Sequence, residues 1–356
     1  MLVRHTGEDH KFDEENFKKR YRENFHDPNF NQISSAVEAI TEVAWQNYSQ
    51  GRKAPFRQKA GAGFHDPDYE LSVDWLKTRA AIHTAQAEHD DESGPRRILM
   101  ISGSPRNEST CPSEYSKSVR MVQEAKSIFE NSPNTVVEFL DLSLITSEYG
   151  KTIHPCKGCV STAMPLCHWP CSCYPNYSLG QIHDWMNDIY PMWVRAHGIM
   201  IITPAHWHQS PSVLKLMIDR LVCADGGNED PTSTHGKKAE EAKELEVKGW
   251  DYPRHLKGRM FSLVVHGDAT GVGDLKNSLT DWLEEMELVP VTNHGVLARY
   301  IGYMGTYAES HEALDKDTDM MDEVKNAAKA LTVAVGAYRH HQFEALNLQL
   351  QEPRPK

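Results

Sequence analysis

The sequence has few of the features that direct a protein to a membrane, to secretion or to nucleic acid. No apolar run approaches the roughly 20 residues of a membrane-spanning helix. The first residues, MLVRHTGEDHKFDEENFKKR, lack the apolar core of a secretory signal peptide. Basic residues are outnumbered, with 38 Lys and Arg against 50 Asp and Glu and a formal net charge of −12. We therefore expect a cytoplasmic protein that binds neither nucleic acid nor a membrane surface.

The first predicted loop between strand and helix also lacks the glycines of the common nucleotide-binding motifs. It follows the apolar run that ends at Ser102, and Gly103 is its only glycine. A P-loop requires Gly-x4-Gly-Lys-Ser/Thr, and a dinucleotide fold requires Gly-x-Gly-x-x-Gly. The loop therefore meets neither nucleotide signature.

The segment Ile98–Cys111, ILMISGSPRNESTC, instead predicts a strand, a phosphate loop and a helix that begins near Thr110. Ser104, Ser109 and Thr110 supply hydroxyls, and Arg106 supplies a fixed positive charge. The first N–H groups of a helix are unpaired and lie at its positive end, so they favour an anion. These groups suit a terminal monophosphate such as that of flavin mononucleotide (FMN). The alternative is an ordinary loop between a strand and a helix.

From residue 96 onward, short β-rich runs alternate with helical patterns. The predicted strands are Ile98–Ser102, Val136–Leu140, Gly198–Thr203, Met260–His266 and a weaker Leu288–Val291. The predicted helices are Pro112–Glu130, Leu179–Arg195, Ser210–Ala224, Leu275–Met286 and Asp319–Tyr338. This alternation predicts an α/β fold, a flavodoxin-like doubly wound parallel sheet of five strands in the order 2-1-3-4-5.

The remaining segments are interpreted as additions to this fold. Residues 1–95 are polar and predict a helical N-terminal arm, with helical patterns at Phe30–Tyr48 and Tyr69–Ala85. The flavodoxin-like domain is expected to cover 96–340, followed by a tail at 341–356. Residues 225–258 exceed the usual length of a connection and are interpreted as a lid or interface insertion.

Ligands of an open parallel sheet bind beyond the carboxyl ends of its strands, where the strand order reverses. The loops after strands one, three and four should therefore converge. The loop after the third strand begins Thr203-Pro204-Ala205-His206-Trp207, and the loop after the fourth begins His266-Gly267-Asp268. Trp207 offers an aromatic surface beside a bound ring, and its alternative is a core residue next to a helix.

Taken together, these features resemble the NAD(P)H-dependent FMN reductase family, which includes flavodoxin-like quinone reductases and iron–sulfur flavoproteins. Three motifs in this order carry the resemblance across residues 96 to about 300. They are Gly103-Ser104-Pro105-Arg106, Cys156-Lys157-Gly158-Cys159, and Thr203-Pro204-Ala205-His206-Trp207 leading into Ser212-x-Leu214-Lys215-x-x-x-Asp219-Arg220.

The resemblance implies a set of FMN-binding residues. Those implied to hold the phosphate are Ser104, Arg106, Ser109 and Thr110. Those implied to border the isoalloxazine ring are Pro204, Ala205, His206, Trp207, Gly267 and Asp268. Family members more often carry a tyrosine at the position of His206. No catalytic acid or base is assigned, because hydride transfer belongs to the flavin.

The activity implied by the resemblance is an oxidoreductase that passes hydride from NAD(P)H through FMN to a quinone, a flavin or a small electrophile. Flavin enzymes of this fold commonly build the pocket from two subunits, so a homo-oligomer, a dimer or tetramer, is expected. One alternative is a flavin electron carrier between proteins, with or without an iron–sulfur cluster. The other is a non-catalytic binding protein stabilised by zinc.

Five of the seven cysteines lie in one short segment, at Cys156, Cys159, Cys167, Cys171 and Cys173. Four of the five could hold a [4Fe–4S] cluster or a zinc ion. The resemblance to iron–sulfur flavoproteins favours a cluster, whereas the lack of a cysteine soon after Cys159 departs from their pattern. The alternative is a set of structural or redox-active thiols.

Overall fold

The structure is a computed structural model that describes residues 11–339 except 222, 251–254 and 292. The chain divides into two compact units, each discontinuous in sequence. One, here called the sheet unit, comprises the described residues of Thr78–Cys156, Trp185–Gly227 and Tyr252–Lys356. The other, the arm unit, comprises those of Met1–Lys77, Lys157–Asp184 and Asn228–Asp251.

The sheet unit is built on a parallel sheet. Its strands are β1 Arg96–Ser102, β2 Thr135–Asp141, β3 Gly198–Pro204, β4 Met260–Gly267, β5 Val289–Pro290 and β6 Val296–Tyr300. The order is β2-β1-β3-β4, and both β5 and β6 pair with the free edge of β4. The predicted order 2-1-3-4-5 is confirmed, with the fifth position shared by two short strands. Strand β4 is buried along its whole length, as expected of a parallel strand covered on both faces.

Helices cover this sheet. The longer ones are α1 Lys117–Glu130, α2 Met186–Arg195, α3 Ser212–Leu221, α4 Val272–Glu285, α5 Tyr307–Lys316 and α6 Thr318–Arg339. Shorter helical turns are Leu144–Ser147, Cys223–Gly226 and Asn293–Gly295. Apolar side chains of α1 and α6 pack with β1, β3 and β4 in one buried cluster. This cluster holds the carboxyl ends of the strands in place.

Helix α1 begins later than the sequence predicts. The prediction covers Pro112–Glu130, whereas the helix begins at Lys117. Ser113 has a φ of 67°, which a right-handed helix cannot contain. The Ser116 hydroxyl caps the helix by accepting a hydrogen bond from a backbone N–H three residues ahead. The expected helix start near Thr110 is therefore wrong, because the chain up to Ser116 is a loop.

Helix α2 is also shorter than predicted. The helical pattern of Leu179–Arg195 becomes a helix only from Met186 onward. Gly180 and His183 have φ values of 65° and 58°, so the chain turns twice before the helix can begin.

The arm unit is formed mainly by short elements. Its helices are Glu14–Arg22, Ser34–Ser49, Ala239–Val247 and the first residues of Val73–Asp90, a helix whose remainder is counted with the sheet unit. A two-stranded antiparallel hairpin pairs Arg57–Lys59 with Glu70–Ser72. The 3-10 turns are Glu23–Phe25, Pro28–Ile33, Cys159–Ser161, Met164–Leu166, Tyr177–Leu179 and Pro231–Thr234.

Each unit groups segments that are distant in sequence. The predicted domains instead follow one another along the chain, with boundaries at 95 and 340, and they stay a prediction. Residues 228–250 of the 225–258 insertion belong to the arm unit, whereas its described ends, 225–227 and 255–258, belong to the sheet unit. The predicted tail at 341–356 lies outside the described residues. Within the described ranges, no helix is long and apolar enough to cross a membrane.

Gly198 opens β3 against α6, and its lack of a side chain is a packing requirement. A Cβ at this position would lie 2.6 Å from Val335 Cγ2 and 3.0 Å from Leu331 Cδ1. We expect Gly198→Ala to lower the free energy of unfolding by about 1–3 kcal/mol through overpacking. Urea unfolding measures this change. The control is Gly273→Ala in α4, where a Cβ meets nothing within 4 Å. Equal effects of the two substitutions would contradict the packing argument.

Candidate functional site

Three loops at the carboxyl ends of β1, β3 and β4 meet at one cavity of about 110 Å³. This is the convergence that the strand order predicts. The lining residues are Ser104, Pro105, Arg106, Ser116, Lys117, Ser118, Pro204, Ala205, His206, His266, Gly267, Asp268 and Tyr307. The backbone joins two of the loops directly, since the Ala205 N–H donates to the His266 carbonyl at 2.8 Å.

The loop after β1 approaches β3 closely because Gly103 has no side chain. A Cβ there would lie 2.6 Å from Thr203 Oγ1. The loop then turns where the Arg106 N–H donates to Ser104 Oγ at 3.1 Å. This turn brings the Arg106 guanidinium to the cavity.

Arg106 carries unsatisfied hydrogen-bond donors at this cavity. Its Nε and Nη2 atoms are buried and have no hydrogen-bond partner among the described residues. Its Nη1 donates to the Tyr307 hydroxyl, and the guanidinium lies 5.8 Å from the centre of the Tyr307 ring. Buried donors without acceptors are costly, and two neighbouring guanidinium nitrogens match two oxygens of a phosphate. The residues present therefore fit a bound oxyanion.

The first turn of α1 forms another side of the cavity. Ser116, Lys117 and Ser118 lie at its N-terminus, where the leading backbone N–H groups have no partner within the helix. Together with the positive end of the helix dipole, these groups favour an anion. The sequence analysis missed this contribution because it began the helix near Thr110. The signal was Ser116, a favoured N-cap residue followed by a helical pattern.

Lys117 adds a buried positive charge to the cavity. Its side chain is 7% exposed, and its Nζ lies 3.5 Å from Asp268 Oδ2 and 3.4 Å from the Ile301 carbonyl. Burial lowers the pKa of Lys117, and the Asp268 carboxylate partly opposes that shift. A phosphate in the cavity would compensate this charge more closely than Asp268 does.

His266 is a neutral lining group. Its Nε2 lies 2.8 Å from Ser118 Oγ, and both side chains are buried. Burial, reinforced by the charge of Lys117, lowers the pKa of His266 to about 3. His266 therefore carries no charge near neutral pH and connects α1 to the end of β4 as a hydrogen-bonding group.

The loop after β3 presents an aromatic side chain outside the cavity. His206 and Gln209 exchange backbone hydrogen bonds of 3.0 and 2.9 Å across a two-residue turn. Trp207 and His208 occupy the turn with φ values of 50° and 66°. The His208 ring is held by Asp274, at 2.7 Å from Nδ1 to Oδ2. Trp207 is 95% exposed, so it is a surface residue rather than a core residue.

The structure brings together most of the residues named from the sequence. Those lining the cavity are Ser104, Arg106, Pro204, Ala205, His206, Gly267 and Asp268. Ser109 and Thr110 are not among the lining residues, and the Ser109 N–H and the Thr110 hydroxyl donate to Asn107. Their predicted contact with a phosphate stays a prediction. Those missed by the sequence analysis are Ser116, Lys117, Ser118, His266 and Tyr307.

The cysteine segment does not fit the predicted metal or cluster. Among the residues that the structure describes, no group of three or more His, Cys, Asp or Glu could hold a metal ion. Cys159 Sγ lies 3.7 Å from Cys173 Sγ, and Lys237 Nζ lies 3.1 Å and 3.0 Å from the two sulfurs. The ammonium thus binds to the sulfur atoms that would have to face a metal.

The buried neutral state of His266 predicts a pH dependence of stability. The pKa is 6.5 when unperturbed and about 3 in the folded chain, so between these values the unfolded state binds the additional proton. The stabilisation is therefore complete above pH 6.5 and declines as the pH falls. Between pH 7 and pH 5, we expect the free energy of unfolding to fall by up to about 2 kcal/mol more in the wild type than in His266→Gln. Urea unfolding at both pH values measures it, and equal losses would contradict the assignment.

The chain matches a known protein family and is similar to several solved structures. A model of the family described as NADPH-dependent FMN reductase matches residues 96–301. The chain is similar to a crystal structure of RosB with bound 8-demethyl-8-formylriboflavin-5'-phosphate, at 13% identity and a TM-score of 0.45, covering 73% of this chain and 91% of that one. It is also similar to a flavone reductase, at 18% identity and a TM-score of 0.37, covering 69% of this chain and 65% of that one.

A third similar structure is an azoreductase from Bacillus anthracis str. Sterne, at 14% identity and a TM-score of 0.35, covering 66% of this chain and 98% of that one. No curated protein matches the chain. The family match includes β1, β3 and β4 with the loops that form the cavity, and it extends over more than half of the sequence. The chain therefore belongs to the NADPH-dependent FMN reductase family.

Proposed function

We propose that this protein is an FMN-dependent NAD(P)H oxidoreductase that reduces a quinone, a flavin or a small electrophilic compound. Membership of the family supports the cofactor and the nicotinamide donor. The observation that carries the proposal is the pair of buried Arg106 donors without a partner among the described residues, at the cavity formed by three loops. Such a group favours an anionic ligand.

In this proposal the cavity would take the phosphate end of FMN. Arg106 would donate from Nε and Nη2, Lys117 would contribute its charge, and the first N–H groups of α1 would also donate. Ser104 shapes the loop that holds Arg106 in position. The cavity of about 110 Å³ is small beside the whole cofactor, so we assign it to the phosphate end alone.

Bound FMN supplies the redox chemistry, because it accepts a hydride from a nicotinamide and passes the electrons to an acceptor. The protein has to orient the two rings and stabilise charge. In our proposal Pro204, Ala205 and His206 border the ring on one side, and Gly267 and Asp268 border it on the other. Burial lowers the pKa of His206, so this histidine is a neutral polar group beside the ring.

Trp207 is proposed to receive the nicotinamide or the acceptor. Its side chain is almost fully exposed, and it follows His206, which lines the cavity. A tight turn and the His208–Asp274 contact restrict the backbone around it. An exposed aromatic side chain held in place by its neighbours provides a surface on which a planar ring can stack.

We also propose that the protein acts in the cytoplasm and assembles into a homo-oligomer, as the resemblance to its family implies.

The electron-carrier alternative differs in a measurable property. A carrier forms a stable one-electron state and does not oxidise NAD(P)H directly, whereas an oxidoreductase is reduced rapidly by two electrons.

Loss of the guanidinium should weaken FMN binding. We expect Arg106→Ala to raise the FMN dissociation constant roughly 10- to 100-fold, because charge-assisted hydrogen bonds contribute about 1.5–3 kcal/mol. Quenching of flavin fluorescence on titration measures the constant. The control is Arg299→Ala, since Arg299 pairs with Glu323 at 2.6 Å and does not line the cavity. An unchanged affinity in Arg106→Ala would exclude this phosphate site.

Removal of the exposed indole should affect turnover more than cofactor binding. We expect Trp207→Ala to lower kcat/KM for NADPH roughly 3- to 10-fold and to leave the FMN dissociation constant nearly unchanged, since an aromatic contact contributes about 0.5–1.5 kcal/mol. Steady-state oxidation of NADPH with a quinone acceptor measures the effect. The control is Tyr149→Ala, which removes an aromatic side chain that is 99% exposed. If both variants turn over like the wild type, Trp207 does not contact the substrate.

A further inference from the structure

Two thiols and one ammonium group form a compact cluster in the arm unit, separate from the proposed flavin chemistry. Cys159 Sγ and Cys173 Sγ are 3.7 Å apart. Lys237 Nζ lies 3.1 Å from the first sulfur and 3.0 Å from the second. Lys237 is 78 residues from Cys159 and 64 from Cys173 in the sequence, so the fold, and not the local spacing, brings the ammonium to the sulfurs.

The surroundings of Cys173 are rich in positive charge. Lys53 Nζ donates to the carbonyl of the preceding residue, Ser172, at 2.6 Å. Lys157 Nζ lies 5.0 Å from the ring centre of the following residue, Tyr174. Together with Lys237, these lysines place three ammonium groups around a three-residue segment. A thiolate is favoured over a thiol in such surroundings, and the thiolate is the nucleophilic form.

The two sulfurs are not equivalent. Hydrogen bonds from Cys159 and Cys171, aided by the charge of Lys237, hold the pKa of Cys173 well below its ordinary value. The hydrogen bond with Cys173 raises the pKa of Cys159. The thiolate is therefore favoured on Cys173, and Lys237 lies within hydrogen-bonding distance of both sulfurs. One reactive sulfur with a neighbouring thiol is the arrangement that forms a disulfide after oxidation.

Access and local structure are compatible with this chemistry. Cys173 is 4% exposed, Cys159 is partly buried, and Lys237 is exposed to solvent along part of its side chain. In this proposal a small oxidant approaches the sulfurs beside the exposed part of Lys237. Cys159 opens a short 3-10 turn after Gly158, and Cys173 lies in a turn. Formation of the disulfide would bring the two sulfurs from 3.7 Å to the roughly 2.05 Å of an S–S bond.

We propose that Cys159 and Cys173 form a redox-active dithiol that a hydroperoxide oxidises reversibly to an intramolecular disulfide, with Lys237 positioning the reactive sulfur. The Cys173 thiolate attacks the terminal OH oxygen of the hydroperoxide, the O–O bond breaks, and hydroxide leaves from hydrogen peroxide or an alkoxide from an organic hydroperoxide, which gives a sulfenic acid on Cys173. The Cys159 sulfur then attacks the Cys173 sulfur, the S–O bond breaks, and the departing hydroxide takes the Cys159 proton and leaves as water. The two sulfurs lose two electrons in total, the peroxide gains them, and a dithiol reductant reverses the step.

The experiment uses the full chain, reduced and then freed of reductant without oxygen. One equivalent of hydrogen peroxide is added, the remaining thiols are titrated, and peptides are mapped by mass spectrometry without reduction. We expect the loss of two thiols and a linked pair of peptides that contain Cys159 and Cys173. Cys159→Ser and Cys173→Ser should abolish the linked pair. Cys111→Ser, which removes an exposed cysteine of the sheet unit, should retain it.

The role of Lys237 is tested by the rate of disulfide formation. Lys237→Met keeps an unbranched side chain, one atom shorter, but removes its charge, and we expect the rate to fall about tenfold because less thiolate is present. The matched control is Lys238→Met, since Lys238 pairs with Glu241 at 3.3 Å instead of with the sulfurs. Absorbance of the thiolate near 240 nm should fall in the first variant and not in the second. Circular dichroism checks that both variants are folded.

Three results would overturn the proposal. The first is an unchanged thiol titre with no linked peptide after treatment with peroxide. The second is stoichiometric zinc or iron in the purified protein that Cys159→Ser and Cys173→Ser remove. The third is an oxygen-bridged link between Lys237 and one of the sulfurs in place of the disulfide. None of these measurements depends on bound FMN, so their outcome is independent of the proposed oxidoreductase activity.

Discussion

The register of the parallel strands is the constraint on which the candidate site depends. Ser102 at the end of β1 pairs with Ile202 in β3, and Pro204 at the end of β3 pairs with His266 in β4. The three strands therefore end within a few residues of one another, at the same edge of the sheet. Gly103 allows the first loop to pass close to β3, and the hydrogen bond from Ala205 to His266 joins the other two. A shift of one residue in any of these pairings would separate the groups that line the cavity.

The positive charge at this edge of the sheet is only partly balanced by neighbouring groups, and this indicates an anionic ligand. Lys117 is buried with only a long contact to Asp268, and two buried nitrogens of Arg106 lack partners among the described residues. Such groups lower the stability of the folded chain unless an anion compensates them. A ligand that binds only the folded state would therefore also stabilise it, in proportion to the logarithm of its concentration over the dissociation constant. Binding and stability are coupled at this cavity through the same two side chains.

The cysteine segment shows how one sequence pattern supports different chemistries. The spacing of Cys156 and Cys159 is typical of metal and cluster sites, and the sequence by itself allows that interpretation. The side chain that lies against the sulfurs in the structure, Lys237, is 64 residues away from Cys173 in the chain. Its ammonium group stabilises a thiolate by a hydrogen bond and by charge. It also occupies the position beside the sulfurs in which a metal cation would otherwise bind. Spacing along a chain carries no information about such a neighbour.

The sequence by itself determined the α/β class and the strand order, because buried parallel strands are continuous apolar runs. It also determined the loops in which most cavity residues lie, because the strand order limits where ligands bind. It left the start of α1 ambiguous, since Ser116 is one of several possible N-cap residues and the positive φ of Ser113 depends on the folded loop. Nor did it identify Lys117, His266 and Tyr307 as lining residues, or Lys237 as the partner of two sulfurs. Those contacts join segments that are distant along the chain, and only the tertiary structure decides which of them meet.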